Sequence, residues 1–210
     1  MWLRIAVALL LAGCGASAPQ QTETHSRAGN QKQGTAQALF RQGAALAEAG
    51  QLVRAEQYLS LAWERGYREE ETLPLLLRVC LASSRLRTAL NYAESHLVRH
   101  PDDWSLRYLV ACIHLAMGEH DRAREQLQRV IAYRESFAPA HYLLATLLRD
   151  FRRDASAASR SFSAYLAIAP QGEHADEAAA WLRAHPVGEG MGEAKAASEA
   201  PQDEKRGEGR

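Results

Sequence analysis

The chain has 210 residues, with 25 Lys and Arg against 25 Asp and Glu and 47% hydrophobic residues. A balanced charge without a concentrated basic face argues against nucleic-acid binding, because neutralising phosphates needs clustered cations. The apolar content suffices for one core of roughly 150 residues, and no apolar run reaches membrane-spanning length.

In chain order, the first element is a short apolar run, Ile5 to Leu11, preceded by a single positive charge at Arg4. A positive start, a short apolar core and small residues before a cut site describe a secretory signal, too short to cross a bilayer. The run closes on Leu11-Ala12-Gly13-Cys14, which resembles the lipobox of bacterial lipoproteins. The resemblance implies diacylglyceryl transfer to the Cys14 thiol, the only group there nucleophilic enough to accept it, and cleavage just before it. Residues 1–13 are therefore expected to be a signal peptide. Residues 14–34 are polar and poor in large apolar side chains, and are expected to form a flexible tether that starts at the lipidated Cys14. Stable anchoring follows from the two or three acyl chains that such lipoproteins carry.

Residues 35–185 are dense in Leu and Ala, with little period-two patterning, which predicts helix throughout. Small residues recur in phase: Gly43, Ala111 and Ala145 stand at multiples of 34 residues, with Leu77 at the second position of that series. Ala55, Ala89 and Ala123 repeat at the same interval, as do Gly50, Ser84 and Gly118. A 34-residue period of two amphipathic helices resembles the tetratricopeptide repeat (TPR), in which small side chains let the paired helices A and B approach closely. Units are expected at 36–69, 70–103, 104–137 and 138–172, the last with one extra residue in a turn, 149–154, that has no glycine. Residues 173–185 are expected to be a capping helix. The fold class is then all-α, a TPR solenoid of about four helix-turn-helix repeats plus the cap. After Pro186 the sequence turns to Gly and charged residues, and residues 186–210 are expected to be a disordered tail.

The resemblance implies a concave surface lined by the A helices, with Phe40, Tyr108 and Tyr142 at one shared unit position. Arg78, Thr146 and Arg149 lie on the same face. Aromatic anchors with cations between apolar patches suit recognition of a protein segment. Packing against the next helix is the competing role for the same aromatics. Pro74 interrupts the aromatic series in the second unit and is expected in the first turn of its helix, where proline is tolerated.

Signatures of catalysis and of phosphate cradling do not occur, so no catalytic residue, cofactor or metal site is expected. His96 and His100 are spaced for one helix face, but a helix-end role is expected, since His near a C-terminus is favoured by the macrodipole. Glu69, Glu70 and Glu71 are expected to open a helix. Cys80 and Cys112 are expected as two buried thiols, although a bridge is conceivable in an oxidising compartment. Together these features imply a non-enzymatic TPR lipoprotein facing the periplasm, with the outer membrane as its site because Gly15 follows the lipidated residue. Its expected role is an adaptor or assembly factor that binds protein partners in an envelope machine for pilus, secretion or outer-membrane assembly. The alternative is an accessory subunit of an envelope or peptidoglycan enzyme.

Overall fold

The structure, a computed structural model, describes residues 21–186. Cys14, the signal peptide and the first residues of the expected tether lie outside the described residues, as does the tail from residue 187. The described residues are helical in nine α-helices and one π-turn: α1 Gln21–Glu48, α2 Leu52–Glu64, α3 Glu69–Ala82, α4 Leu86–Arg99, α5 Trp104–Ala116, α6 His120–Tyr133, α7 Ala138–Leu147, the π-turn Leu148–Arg152, α8 Ala155–Ile168 and α9 Ala175–Ala184. From α2 to α8 the helix bounds agree with the repeat period read from the sequence, and α9 lies within the residues expected to form the cap.

One boundary differs. Helix α1 begins at Gln21, so residues 21–34, expected within the flexible tether, are helical. The reason is local: Gln21, Glu23, Arg27, Ala28, Gln31, Lys32 and Gln33 are strong helix formers, and the nearest proline, Pro19, precedes them.

The chain divides into two compact units, with the boundary after Arg85. In the first, α1 packs on α2 and α2 on α3. Gly43 is the close-contact residue, because a Cβ there would stand 2.7 Å from Leu59 Cγ. Ala55, Leu59 and Ala62 of α2 and Leu76 and Cys80 of α3 are fully buried. Glu56, only 6% exposed, is neutralised by Arg85 at 2.5 Å. Such a buried carboxylate needs a partner, since an unpaired one is costly. Acidic residues fill the first turn of α3, and Arg68 pairs with Glu70 and Glu71. Pro74 sits inside α3, one turn deeper than expected, because the helix opens at Glu69. It leaves the Glu70 carbonyl without its intrahelical donor, and both Glu70 and Pro74 are exposed.

In the second unit α5 pairs with α6 and α7 with α8, and α9 packs on α8. Ala111, Ala123 and Ala145, small residues that recur in phase in the sequence, are 0% exposed, as is Ala158 in the fourth repeat. Phe162 and Tyr165 are buried with them, which confirms the one-residue shift proposed for the fourth repeat. Asp103 caps α5 by accepting from the Leu106 N–H, and Asp154 caps α8 by accepting from the Ala157 N–H, both at 2.9 Å.

The turns show how the extra residue is absorbed. Gly50 and Gly118 take φ of 72° and 73°, and Ser84 at the same repeat position takes 57°. In the fourth repeat α7 widens into the π-turn, and Arg153 adopts the left-handed conformation at φ 52°. An inserted residue in a helix is commonly accommodated as such a single π-turn. The Asp154 N–H then bonds the Leu148 carbonyl, and the turn closes without glycine.

Candidate functional site

The A-helix residues singled out in the sequence lie in both compact units. In the first, Phe40 of α1 is half-buried and stacks on Tyr67 with ring centroids 4.7 Å apart. The Tyr67 hydroxyl donates to Glu71 at 3.0 Å, and burial together with that carboxylate raises its pKa. Arg78 is exposed on α3. A hollow of about 340 Å³ lies beside this pair, bordered by Gln37 of α1 and by Tyr67 and Arg68.

In the second unit Tyr108 of α5 meets Phe137 edge-on at 5.0 Å, and burial pushes its phenol up to about 12. Its hydroxyl donates to Cys112, whose own thiol is raised chiefly by burial. Tyr142 of α7 stacks on His174 at 3.9 Å, and its hydroxyl donates to Glu177 of α9 at 2.6 Å. Burial, then Glu177, pushes this phenol up to about 12 as well. Arg149, set by the π-turn, donates to Asp150 and to Glu177, each at 2.6 Å, and its guanidinium lies over Phe162 and Trp181. The Arg149 bond, then the Tyr142 bond, holds the Glu177 carboxyl below its ordinary range. Thr146 is half-buried, and its hydroxyl donates to the Leu143 carbonyl at 2.9 Å.

The structure thus brings Tyr142, Arg149 and Glu177 together as one hydrogen-bonded group joining α7 to α9. Each aromatic of the predicted series packs on a ring that follows it in the chain: Phe40 on Tyr67, Tyr108 on Phe137, Tyr142 on His174. The packing role weighed for these residues is therefore present, and each of the three side chains stays half-buried. Sequence reasoning missed the partners Tyr67, Phe137, His174 and Glu177. Glu177 stands 35 residues after Tyr142, a full repeat away, and that spacing was the available signal.

Within the group the polar atoms are spent on one another, since Tyr142 and Arg149 both donate to Glu177. His96 and His100 stack at 4.5 Å at the end of α4, where His96 also lies 3.4 Å from Asp103. Cys80 and Cys112 are free thiols, and burial pushes Cys80 up to about 11.

No protein-family model matches the sequence. No curated protein matches it either. Solved structures do. A tetratricopeptide repeat protein from Parabacteroides merdae superposes with a TM-score of 0.62 at 19% identity, over 71% of this chain and 59% of that one. The chain therefore spans less than two thirds of that relative. YrrB, described as a TPR protein with an unusual peptide-binding site, gives 0.58 at 17% identity over 76% of this chain and 85% of its own. The fold is the TPR fold. MamA agrees, with a TM-score of 0.58 at 18% identity over 69% of this chain and 85% of its own. At these identities the likeness is one of architecture, and it fits helix-turn-helix units that leave an apolar face for their neighbours to bury.

Proposed function

We propose that this TPR chain is a protein–protein adaptor held at the cell envelope by an N-terminal lipid. The observation that carries the adaptor reading is the half-exposed A-helix face of the second unit. There Tyr108, Tyr142 and Arg149 are held in place by Phe137, His174 and Glu177, so they meet a partner already ordered. Pre-organised aromatic and Arg side chains lose little freedom on binding. The peptide-binding site described for YrrB supports the same use of this fold.

The lipid anchor rests on Leu11-Ala12-Gly13-Cys14. With it go the periplasmic orientation, an outer-membrane location and service to a pilus, secretion or outer-membrane assembly machine. Two experiments test the proposal. Palmitate labelling should be lost in Cys14→Ser; label retained in that variant overturns the anchor. For the adaptor, a photo-crosslinking amino acid replaces Ala116, exposed at the end of α5, or Glu94, exposed on the B helix α4. Discrete protein adducts from position 116 and none from 94 are the expected outcome. Equal adducts from both positions, or none from 116, overturn the assignment of the partner to the A-helix face.

A further inference from the structure

The B-helix side of the second unit carries a feature that the sequence did not announce. Between α6 and α8, over α7, lie two adjoining hollows of about 410 and 570 Å³ that share His141 and Ala164. They form one trough. Its floor is Leu144 and Leu148, and Ile131 of α6 faces Ala157 of α8 across it. At the far end Tyr133 and Ile168 remain 52% and 37% exposed.

At the other end the charged lining residues are Arg124, Arg160 and one carboxylate, Asp154. Arg124 of α6 and Arg160 of α8 stand on opposite walls. The nearest acid to Arg124, Asp121, is 3.7 Å away, and the Arg124 Nε is buried with no hydrogen-bond partner. Arg160 donates to the Ser156 hydroxyl. Asp154, the carboxylate at this end, is committed to capping α8. A buried guanidinium N–H without an acceptor is rare in a folded protein, and Arg124 is one of the residues that line the trough.

We propose that this trough docks an acidic amphipathic helix of a partner protein. Its apolar side chains would rest on Ile131, Leu144 and Leu148, and a carboxylate would lie between Arg124 and Arg160. A channel between two helices with an apolar floor is the shape that helix-in-groove recognition uses, and a carboxylate satisfies Arg in a two-bond geometry. The site is separate from the A-helix face, so a partner there and a partner here do not compete.

The test is fluorescence anisotropy on the full chain with a labelled synthetic helix of about 18 residues, long enough to form in isolation, carrying Leu on one face and Glu on the other. Its counterpart carries Lys in place of Glu. The Glu peptide should bind at least about tenfold tighter than the Lys peptide, a difference carried by charge complementarity. The charge reversal Arg124→Glu with Arg160→Glu should invert that order. Ala164→Trp, which fills the trough, should abolish binding, and Ala116→Glu on the A-helix face should leave it unchanged. Gln128→Trp, exposed on the trough wall, repeats the steric test should Ala164→Trp fail to fold. Absence of Glu-peptide binding, equal binding of both peptides, or loss on Ala116→Glu with retention on Gln128→Trp overturns the proposal. So does displacement of the Glu peptide by a free peptide of residues 187–210 or by a second copy of the chain, since either would make the occupant the chain itself.

Discussion

Replacing Gly43 by alanine puts the repeat register to a quantitative test. In a helix interior this exchange ordinarily stabilises by about 1 kcal/mol, because glycine loses more backbone freedom on folding. At Gly43 the new Cβ would lie 2.7 Å from Leu59 Cγ, 2.9 Å from Cδ2 and 3.1 Å from the Leu59 backbone nitrogen. Non-bonded carbons prefer about 3.5–4.0 Å. Leu59 has nowhere to go, since it and its neighbours Ala55 and Ala62 are 0% exposed. The helices must part, at a cost of about 1–3 kcal/mol for overpacking. Subtracting the propensity gain leaves a net loss of about 1 kcal/mol, or about 2–4 °C in Tm for a chain of this size. The control is Gly34→Ala on the same helix, where no atom lies within 4 Å. It should stabilise by up to about 1 kcal/mol. Urea unfolding followed by far-UV circular dichroism reads both. Stabilisation of equal size at the two positions would refute the claim that α1 and α2 meet at Gly43.

Three further predictions concern caps, turns and pH. Asp103→Ala and Asp154→Ala should each cost about 1 kcal/mol, measured by chemical denaturation, because each removes the acceptor for an orphan N–H. Arg153→Gly should stabilise by about 1 kcal/mol by relieving a left-handed backbone that side chains disfavour, whereas Gly118→Ala at φ 73° should destabilise; melts of the two variants should move in opposite directions. Tyr108 and Tyr142 are pushed from 10.0 up to about 12 in the folded chain, so the unfolded chain gives up these protons first as pH rises. Their contribution is complete below pH 10 and is lost on the way to about 12. Tyr108→Phe and Tyr142→Phe should flatten the alkaline limb of the stability–pH profile, and an unchanged limb would contradict their half-buried, hydrogen-bonded setting.

Much of the fold was legible because its cause is local and periodic. Close helix pairing needs a small residue at a fixed place in each unit, so Gly43, Ala55, Ala111, Ala123 and Ala145 exposed the period directly, and an inserted residue near 149–154 was countable. Its conformation was not. Nothing in Leu148 to Arg153 says whether an extra residue loops out or widens the helix, since that depends on how α8 must be placed to bury Phe162. Pro74 was misplaced by a turn for a similar reason: the acids that stabilise a helix start are three in a row, and the first of them opens α3. The helical reach of α1 back to Gln21 was hidden by composition, because polarity forecasts failure to form a core, whereas Gln, Glu and Arg can hold a helix without one. At the candidate site the aromatic series was visible as a shared position, but its clamps were not. Glu177 reaches Tyr142 and Arg149 only because the π-turn aims Arg149 at α9. The trough between α6 and α8 belongs to the spacing of two helices and leaves no motif in either.

The central claim, that the A-helix face of the second unit holds a protein partner, is tested most directly by affinity. The protein crosslinked through position 116 is purified, and its Kd is measured by calorimetry for the wild type and for Ala116→Glu, an exposed change that should leave the melting temperature where it was. Binding should weaken at least about tenfold, as expected when a charge is buried without a partner in an interface. An unchanged Kd would place the partner elsewhere and contradict the account.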